Sequence, residues 1–308
     1  MKLFITGMMR SGTTLLQKVL DCHPDLSVSY QLYTDNFVEV VKRFHAEKNI
    51  QAYHVFNNYS DPIGYSFSEL QKWLDSNIKV EDLLPADVSG DKEVLVEEFV
   101  PFLLSHGIKC INVVRDPRDM IASMSFGNGE VYTGSERPVL FDLRNWRKSV
   151  HIGYECLSDV NFKQVKFEDL IYNPQRVLKE IFVFLGLDES FFNIFYKGLN
   201  ENTTWKGNSS FGDKKLFDQS VIGNFSLVLP SDVISYIEAV CWQEMDYADY
   251  SFTLESKDRE GVVRNYFDSF DIKRDEFDKM YSSSKANVEY EIERLSKSFG
   301  QINKEILS

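Results

Sequence analysis

The run Leu3-Phe4-Ile5 passes directly into Gly7-Met8-Met9-Arg10-Ser11-Gly12-Thr13-Thr14 and then into a helix-patterned stretch, Leu15–Cys22. This succession of strand, glycine-bearing turn and helix constrains the fold more than any other feature of the chain. Such a turn aims backbone N–H groups and the positive end of a helix dipole at one point, which suits a phosphate. The frame overlaps the nucleotide-binding pattern G-x-x-x-x-G-K-[ST], but Thr13 stands where the lysine would be, and the local cation is Arg10. A lysine reaching terminal phosphates beside magnesium is the core of nucleoside-triphosphate chemistry. The turn therefore predicts a phosphate cradle whose charge has moved, and it argues against a phosphotransferase or NTPase.

Further along, Ile108–Val114 is a nearly unbroken β-branched run, as expected of a strand buried on both faces in a parallel sheet. It ends at Arg115-Asp116-Pro117, with Pro117 where a following helix would begin. Ser27–Tyr30 and Gln164–Phe167 read as further strands. Helical spacing covers Phe37–Phe44, Phe67–Leu74, Val94–Leu104, Leu143–Leu157, Gln175–Leu185 (stopped by Gly186) and Asp232–Met245. The alternation predicts an α/β fold of three layers, P-loop-type, with a central, mostly parallel sheet between helices. Ligands of such sheets sit at the carboxyl ends of the strands, where Arg10 and Arg115 both fall.

Asn202–Asn224 is rich in Gly, Asn, Ser and Lys and reads as a long functional loop. The domain is expected to span residues 1–254, followed by a helical extension, 255–308. In that extension Val288, Ile292, Leu295, Phe299, Ile302 and Ile306 alternate steps of four and three. Either two copies pair through this seam as a coiled coil, giving a homodimer, or one amphipathic helix packs back on its own domain.

A net charge of −13 excludes general binding to nucleic acid or acidic polysaccharide. An anionic ligand must then meet a local cation cluster, for which Arg10, Lys92, Arg115 and Arg118 are the candidates. The four cysteines (Cys22, Cys110, Cys156, Cys241) are dispersed without a C-x-x-C pair and are expected to be buried free thiols. No apolar run reaches the ~20 residues of a membrane span. Met1 leaves no room for a signal peptide before the first strand, so the expected compartment is the cytoplasm.

Met9-Arg10-Ser11-Gly12-Thr13-Thr14-Leu15-Leu16, followed by Leu20-Asp21-Cys22-His23-Pro24-Asp25, resembles the 5′-phosphosulfate loop of sulfotransferases. These enzymes use 3′-phosphoadenosine 5′-phosphosulfate (PAPS) as donor. The likeness is to the carbohydrate and tyrosyl-protein branches, which carry arginine in this loop. Val113-Val114-Arg115-Asp116-Pro117-Arg118 with Ser123 is similar to the family's 3′-phosphate motif, and Arg115 offers the planar fork that phosphate oxygens accept. Val165-Lys166-Phe167-Glu168-Asp169-Leu170, then Asn173-Pro174 and Phe184-Leu185-Gly186-Leu187, is similar to a third family segment. Its role is scaffolding, with Glu168 and Asp169 as caps of the following turn. The three elements run in family order over roughly the first 250 residues.

The resemblance implies transfer of a sulfuryl group to an acceptor hydroxyl of a carbohydrate, glycolipid or other small metabolite. In-line displacement at sulfur needs a placed hydroxyl, a base for its proton and cations on the leaving phosphate; this arrangement requires no metal. Arg10, Ser11, Gly12, Thr13, Thr14 and Leu15 are expected to hold the 5′-phosphate, and Arg115 and Ser123 the 3′-phosphate. Lys92, in Gly90-Asp91-Lys92-Glu93, matches a lysine that neutralises charge at the sulfuryl group in related enzymes. There it usually precedes a proline; here Glu93 follows, and a solvated surface lysine is the other reading. The tyrosyl-protein branch has a glutamate base where this chain has Gln31, an amide that can only orient an acceptor. Asp35 is the expected base; Glu39 and His23 are the other candidates. Trp205–Phe211 resembles a loop folding over the nucleotide, with Asn208 and Ser209 as donors and Trp205 or Phe211 to stack on adenine.

Overall fold

In the computed structural model, residues 2–48, 67–127, 134, 137–201, 216–253, 258–270 and 285–307 are described. Strand β1 (Leu3–Thr6) is buried along its whole length. Successive side chains of a strand face opposite ways, and here both faces are apolar. Leu3 and Ile5 join one core layer and Phe4 the other. With β2 (Ser29–Tyr30), β3 (Gly90–Lys92), β4 (Lys109–Val114) and β5 (Phe162–Lys166) it forms a five-stranded sheet of order β2-β3-β1-β4-β5. Every pair is parallel. The chain builds β2 and β3 on one side of β1, then crosses to the other side for β4 and β5. That reversal opens a crevice between β1 and β4 at their carboxyl ends.

Helices cover both faces of the sheet. In chain order they are α1 (Thr13–Asp21), α2 (Thr34–Glu47), α3 (Phe67–Asn77), α4 (Val80–Leu83), α5 (Val100–Ser105), α6 (Pro117–Ile121) and α7 (Val139–Cys156). Then come α8 (Phe167–Tyr172), α9 (Pro174–Leu185), α10 (Phe192–Glu201), α11 (Phe225–Val228), α12 (Ser231–Val240) and α13 (Trp242–Tyr247). Last are α14 (Arg259–Asn265), α15 (Lys285–Leu295) and α16 (Phe299–Leu307). None among the described residues is long and apolar enough to cross a membrane. The expected three-layer, mostly parallel α/β architecture is the observed one.

Two predicted helices differ. Val94–Leu104 is not one helix: β3 precedes it, and Leu95 at φ 64° is incompatible with helical backbone. Only a 3₁₀ turn, Glu97–Phe99, and α5, with Pro101 in its first turn, are helical there. Asp232–Met245 is broken at Cys241 (φ −109°, ψ 16°), which separates α12 from α13. Three cysteines are buried, but Cys22 is exposed.

The 288–306 seam is not one helix either, since α15 and α16 are separate elements. Val288, Ile292, Leu295 and Phe299 pack on the core formed by α6, α7 and α12, and Ile302 enters the core around Phe4 and Phe44. The side chain of Ile306 lies outside the described residues. The apolar seam is thus an amphipathic face turned onto its own domain. This packing makes α7 the central rod of the molecule, with 16 of its 18 residues buried, charged ones included. Arg144 Nε and Arg147 Nη1 meet Glu291 of α15 at 3.0 and 2.6 Å. Lys148 meets Glu98 at 2.6 Å and Glu97 at 3.3 Å. His151 meets Glu244 at 2.8 Å, and Arg294 also pairs with Glu244.

Candidate active site

The turn after β1 takes its shape from residues in left-handed backbone. Gly7 (φ 148°) and Gly12 (φ 97°) are the two positions where a side chain could not be placed. A Cβ at Gly7 would lie 2.4 Å from the Val113 carbonyl oxygen, and one at Gly12 would lie 2.2 Å from the Phe167 ring. Between them Arg10 holds φ 66°, a conformation that costs a side-chain-bearing residue energy and persists only where its surroundings enforce it. The enforcing contact is visible. Arg115 Nη1 donates to the Arg10 carbonyl at 3.0 Å, and Arg10 Nε donates to Ser123 Oγ at 3.0 Å. Three of the residues expected to bind donor phosphates, distant in sequence, are therefore joined directly.

Helix α1 begins at Thr13 with Gly12 as N-cap and no side-chain cap. The amides at such a start have no intrahelical partner and present partial positive charge. Ser11 and Thr13 are buried, while Gly12, Thr14 and Leu15 are half-buried. Ser11 Oγ, Thr6 Oγ1 and Arg115 Nε are buried polar atoms with no hydrogen-bond partner. Such atoms are costly unless something fills them. Uncapped amides, a free buried hydroxyl and a free guanidinium N–H form a donor set that fits a phosphate group.

Strand β4 delivers Arg115. Its guanidinium lies 4.6 Å from the centre of the Phe167 ring, donates from Nη2 to the Val221 carbonyl at 2.7 Å, and sits 3.8 Å from Asp119. Asp116 caps α6 by accepting from the Arg118 amide at 2.9 Å. Trp146 of α7 donates to the Arg115 carbonyl at 2.8 Å. Glu168 accepts the Asp116 amide at 2.9 Å and the Tyr250 hydroxyl at 3.1 Å, so it scaffolds the end of β4 rather than capping the following turn, where α8 has no side-chain cap. Arg118, counted among the candidate cations, is taken up by Asp116 (2.6 Å) and Glu238 (2.5 Å) and is a structural residue.

Lys92 is the last residue of β3, in register with Ile5 of β1 and Tyr30 of β2. It is 1% exposed, so the solvated-lysine reading is incorrect. Its Nζ donates to Gln31 Oε1 at 3.1 Å and lies 3.9 Å from the centre of the Tyr30 ring. Burial lowers its pKa to about 8 against the pull of Glu93 and Asp91. Sequence reasoning placed Lys92 before a helix and gave the acids flanking it no role. The alternation Asp91-Lys92-Glu93 was a strand signal, but three residues are too few to stand out. Asp35, in the first turn of α2, is exposed, as is Glu39. His23 is buried; its Nδ1 accepts the Asp25 amide at 3.1 Å, and its ring packs against Phe182 and Phe191. Burial lowers its pKa, which suits a neutral ring orienting the loop. Trp205, Asn208, Ser209 and Phe211 lie outside the described residues.

The model of the sulfotransferase domain family matches residues 1–247, four-fifths of the chain and all of the elements just described. The chain belongs to the sulfotransferase family. Among solved structures, this sulfotransferase is similar to the sulfotransferase domain from the curacin biosynthetic pathway (19% identity, 81% of this chain and 98% of that chain, TM-score 0.46). It is also similar to the sulfotransferase domain of the Synechococcus PCC 7002 olefin synthase (19% identity, 81% and 94%, TM-score 0.47). A third is a mouse sulfotransferase complexed with PAP (15% identity, 80% and 84%, TM-score 0.44).

Proposed function

We propose that this sulfotransferase takes its sulfuryl group from PAPS and transfers it to a hydroxyl of a carbohydrate, glycolipid or other small metabolite. The carrying observation is the junction of Arg10, Ser123 and Arg115 beside the uncapped start of α1. Arg10 and the backbone of Ser11, Gly12, Thr13, Thr14 and Leu15 hold the 5′-phosphate, and Arg115 and Ser123 hold the 3′-phosphate. The donor supplies an activated sulfuryl group: its bond to the phosphate oxygen breaks as the acceptor oxygen bonds to sulfur, leaving adenosine 3′,5′-bisphosphate. Arg10 and the helix start stabilise charge growing on the leaving phosphate. Lys92 neutralises charge at the sulfuryl group, and Asp35 takes the acceptor proton. Turnover retained by Asp35→Asn would remove Asp35 from that role. Asn208 and Ser209 are proposed as further nucleotide contacts. The Arg10 loop supports the carbohydrate and tyrosyl-protein branches as the source of this reading. A homodimer through the C-terminal helices would have to use faces other than the seam packed on the core, and mass in solution tests it.

Titration calorimetry with adenosine 3′,5′-bisphosphate tests the donor site. Wild type is expected to bind, and Arg10→Ala and Arg115→Ala each to bind roughly 10- to 100-fold more weakly, the worth of hydrogen bonds to charged groups. Equal affinity in all three proteins would overturn the assignment.

A further inference from the structure

Strand β2 ends at Tyr30, and Gln31 turns away from it with φ 48°, a left-handed backbone that a residue with a Cβ does not adopt without being held. The Gln31 amide donates to the Lys92 carbonyl at 2.9 Å. The next three residues are gripped by two carboxyls of the neighbouring strand. The Leu32 amide lies 3.5 Å from Asp91 Oδ1, the Tyr33 amide donates to Glu93 Oε1 at 3.2 Å, and the Thr34 hydroxyl donates to Glu93 Oε2 at 2.7 Å. Asp91 and Glu93 are two apart on an extended segment and so share a side of it, with Lys92 on the other. Both acids are fully buried, and their carboxyls hold consecutive residues of one turn, so each raises the other's cost of ionising. Two like charges so placed in a desolvated site do not both ionise, and one proton held between them relieves the repulsion. Asp91 Oδ2 is buried without a hydrogen-bond partner, which leaves it available to that proton.

We propose that Asp91 and Glu93 hold one proton between them, and that this carboxyl pair positions the Gln31–Thr34 turn and thereby seats the Gln31 amide on Lys92. Both are positioning residues.

Burial pushes Glu93 up to about 8 and raises Asp91 as well. The charged and titratable groups facing the pair are Lys92 on β3 and Tyr33 at the start of α2, which itself feels Asp87 ahead of β3. Lys92 favours ionisation of Asp91, whereas burial raises the Tyr33 phenol, with Asp87 and Asp91 adding to the shift. Below about pH 8 the pair keeps its shared proton and grips the turn. Above it two carboxylates face each other, and the turn loosens as Lys92 gives up its charge in the same range.

Hydrogen–deuterium exchange of the full chain tests this, read as protection of residues 31–34 after correction for the intrinsic pH dependence of exchange. In wild type, protection is expected to fall about tenfold between roughly pH 7 and pH 9, the scale of losing a hydrogen bond to a charged group. Glu93→Gln, which keeps the shape and hydrogen bonds of the protonated pair, is expected to stay protected throughout. Glu93→Ala is expected to lack protection already at pH 7, while β4 stays protected and reports an intact fold. Protection that is flat with pH in wild type, or equal in wild type and Glu93→Ala, overturns the proposal. If Glu93→Ala does not fold, Asp91→Asn replaces it: a pH step as large as that of wild type would overturn the shared proton. The catalytic consequence rests on Lys92 serving the sulfuryl group, which the exchange experiment does not assume. Parallel titration with adenosine 3′,5′-bisphosphate reports the donor site separately, so failure of either reading leaves the other standing.

Discussion

Arg10 shows how one residue can serve fold and function together. Its left-handed backbone turns its carbonyl to Arg115, and its guanidinium reaches Ser123. The neighbouring Gly12 is equally constrained, so Gly12→Ala must either displace the Phe167 ring or leave its φ of 97°. The expected cost is about 1–3 kcal/mol of stability, together with weaker binding of adenosine 3′,5′-bisphosphate, both measurable by denaturant unfolding and calorimetry. A second residue-scale prediction concerns pH. Glu93 is raised from its ordinary 4.5 to about 8. The folded state then binds a proton the unfolded chain has lost, so the contribution is complete below 4.5 and lost as pH rises through about 8. Lys92 is lowered from 10.5 to about 8, so its stabilising limb runs the other way, recovering from about 8 to 10.5. Glu93→Gln removes the first limb, and its Tm relative to wild type should rise between roughly pH 5 and pH 8. Parallel Tm curves for the two proteins would contradict this.

At the scale of elements, legibility followed length and patterning. Strand β4 was readable because five of its six residues are buried and its β-branched run stands out locally. Strand β3 was not: it is three residues, a glycine, an acid and a lysine, and it exists because β1 and β2 flank it. Helix α7 was legible as a helix, but its burial was not, because its spacing does not say what pairs with its Arg, Lys and His residues. Trp146 on that helix meets the Arg115 carbonyl through one hydrogen bond of 2.8 Å. Trp146→Phe keeps the apolar body and leaves a buried carbonyl unsatisfied, at an expected cost of about 1–3 kcal/mol. Weaker binding of adenosine 3′,5′-bisphosphate should accompany it. Unchanged binding in a destabilised variant would show that α7 supports the fold without shaping the Arg115 site.

For the whole molecule, the C-terminal helices complete the domain's charge balance. Glu291 of α15 is buried against Arg144 and Arg147, and Glu244 of α13 against His151 and Arg294. Glu291→Ala leaves two guanidiniums buried without their carboxylate, which costs about 3–5 kcal/mol where such a pair is broken from one side. A chain ending at Leu254 would lose α14, α15 and α16 at once and is expected to unfold or aggregate, as judged by circular dichroism and sedimentation. A truncated chain with wild-type Tm would instead make residues 255–308 a separate unit. The heptad steps alone did not choose between these outcomes, because a seam turned toward a partner and one turned toward its own core share one periodicity.

The sequence alone determined what is local: the strand–turn–helix that cradles a phosphate, the Arg115-Asp116-Pro117 strand end and the alternation that requires a parallel sheet. These follow from backbone and side-chain preferences over a few residues, which neighbours in sequence suffice to set. Only the tertiary structure decided that Arg10 rests on Ser123 and Arg115, that Lys92 is buried beneath Tyr30, and that Asp91 and Glu93 meet face to face. It also decided that a helix rich in charged residues, α7, runs through the interior. Each of these depends on burial and on packing between segments distant in sequence, and desolvation, which every buried charge here must meet, is a property of the packed molecule rather than of any segment.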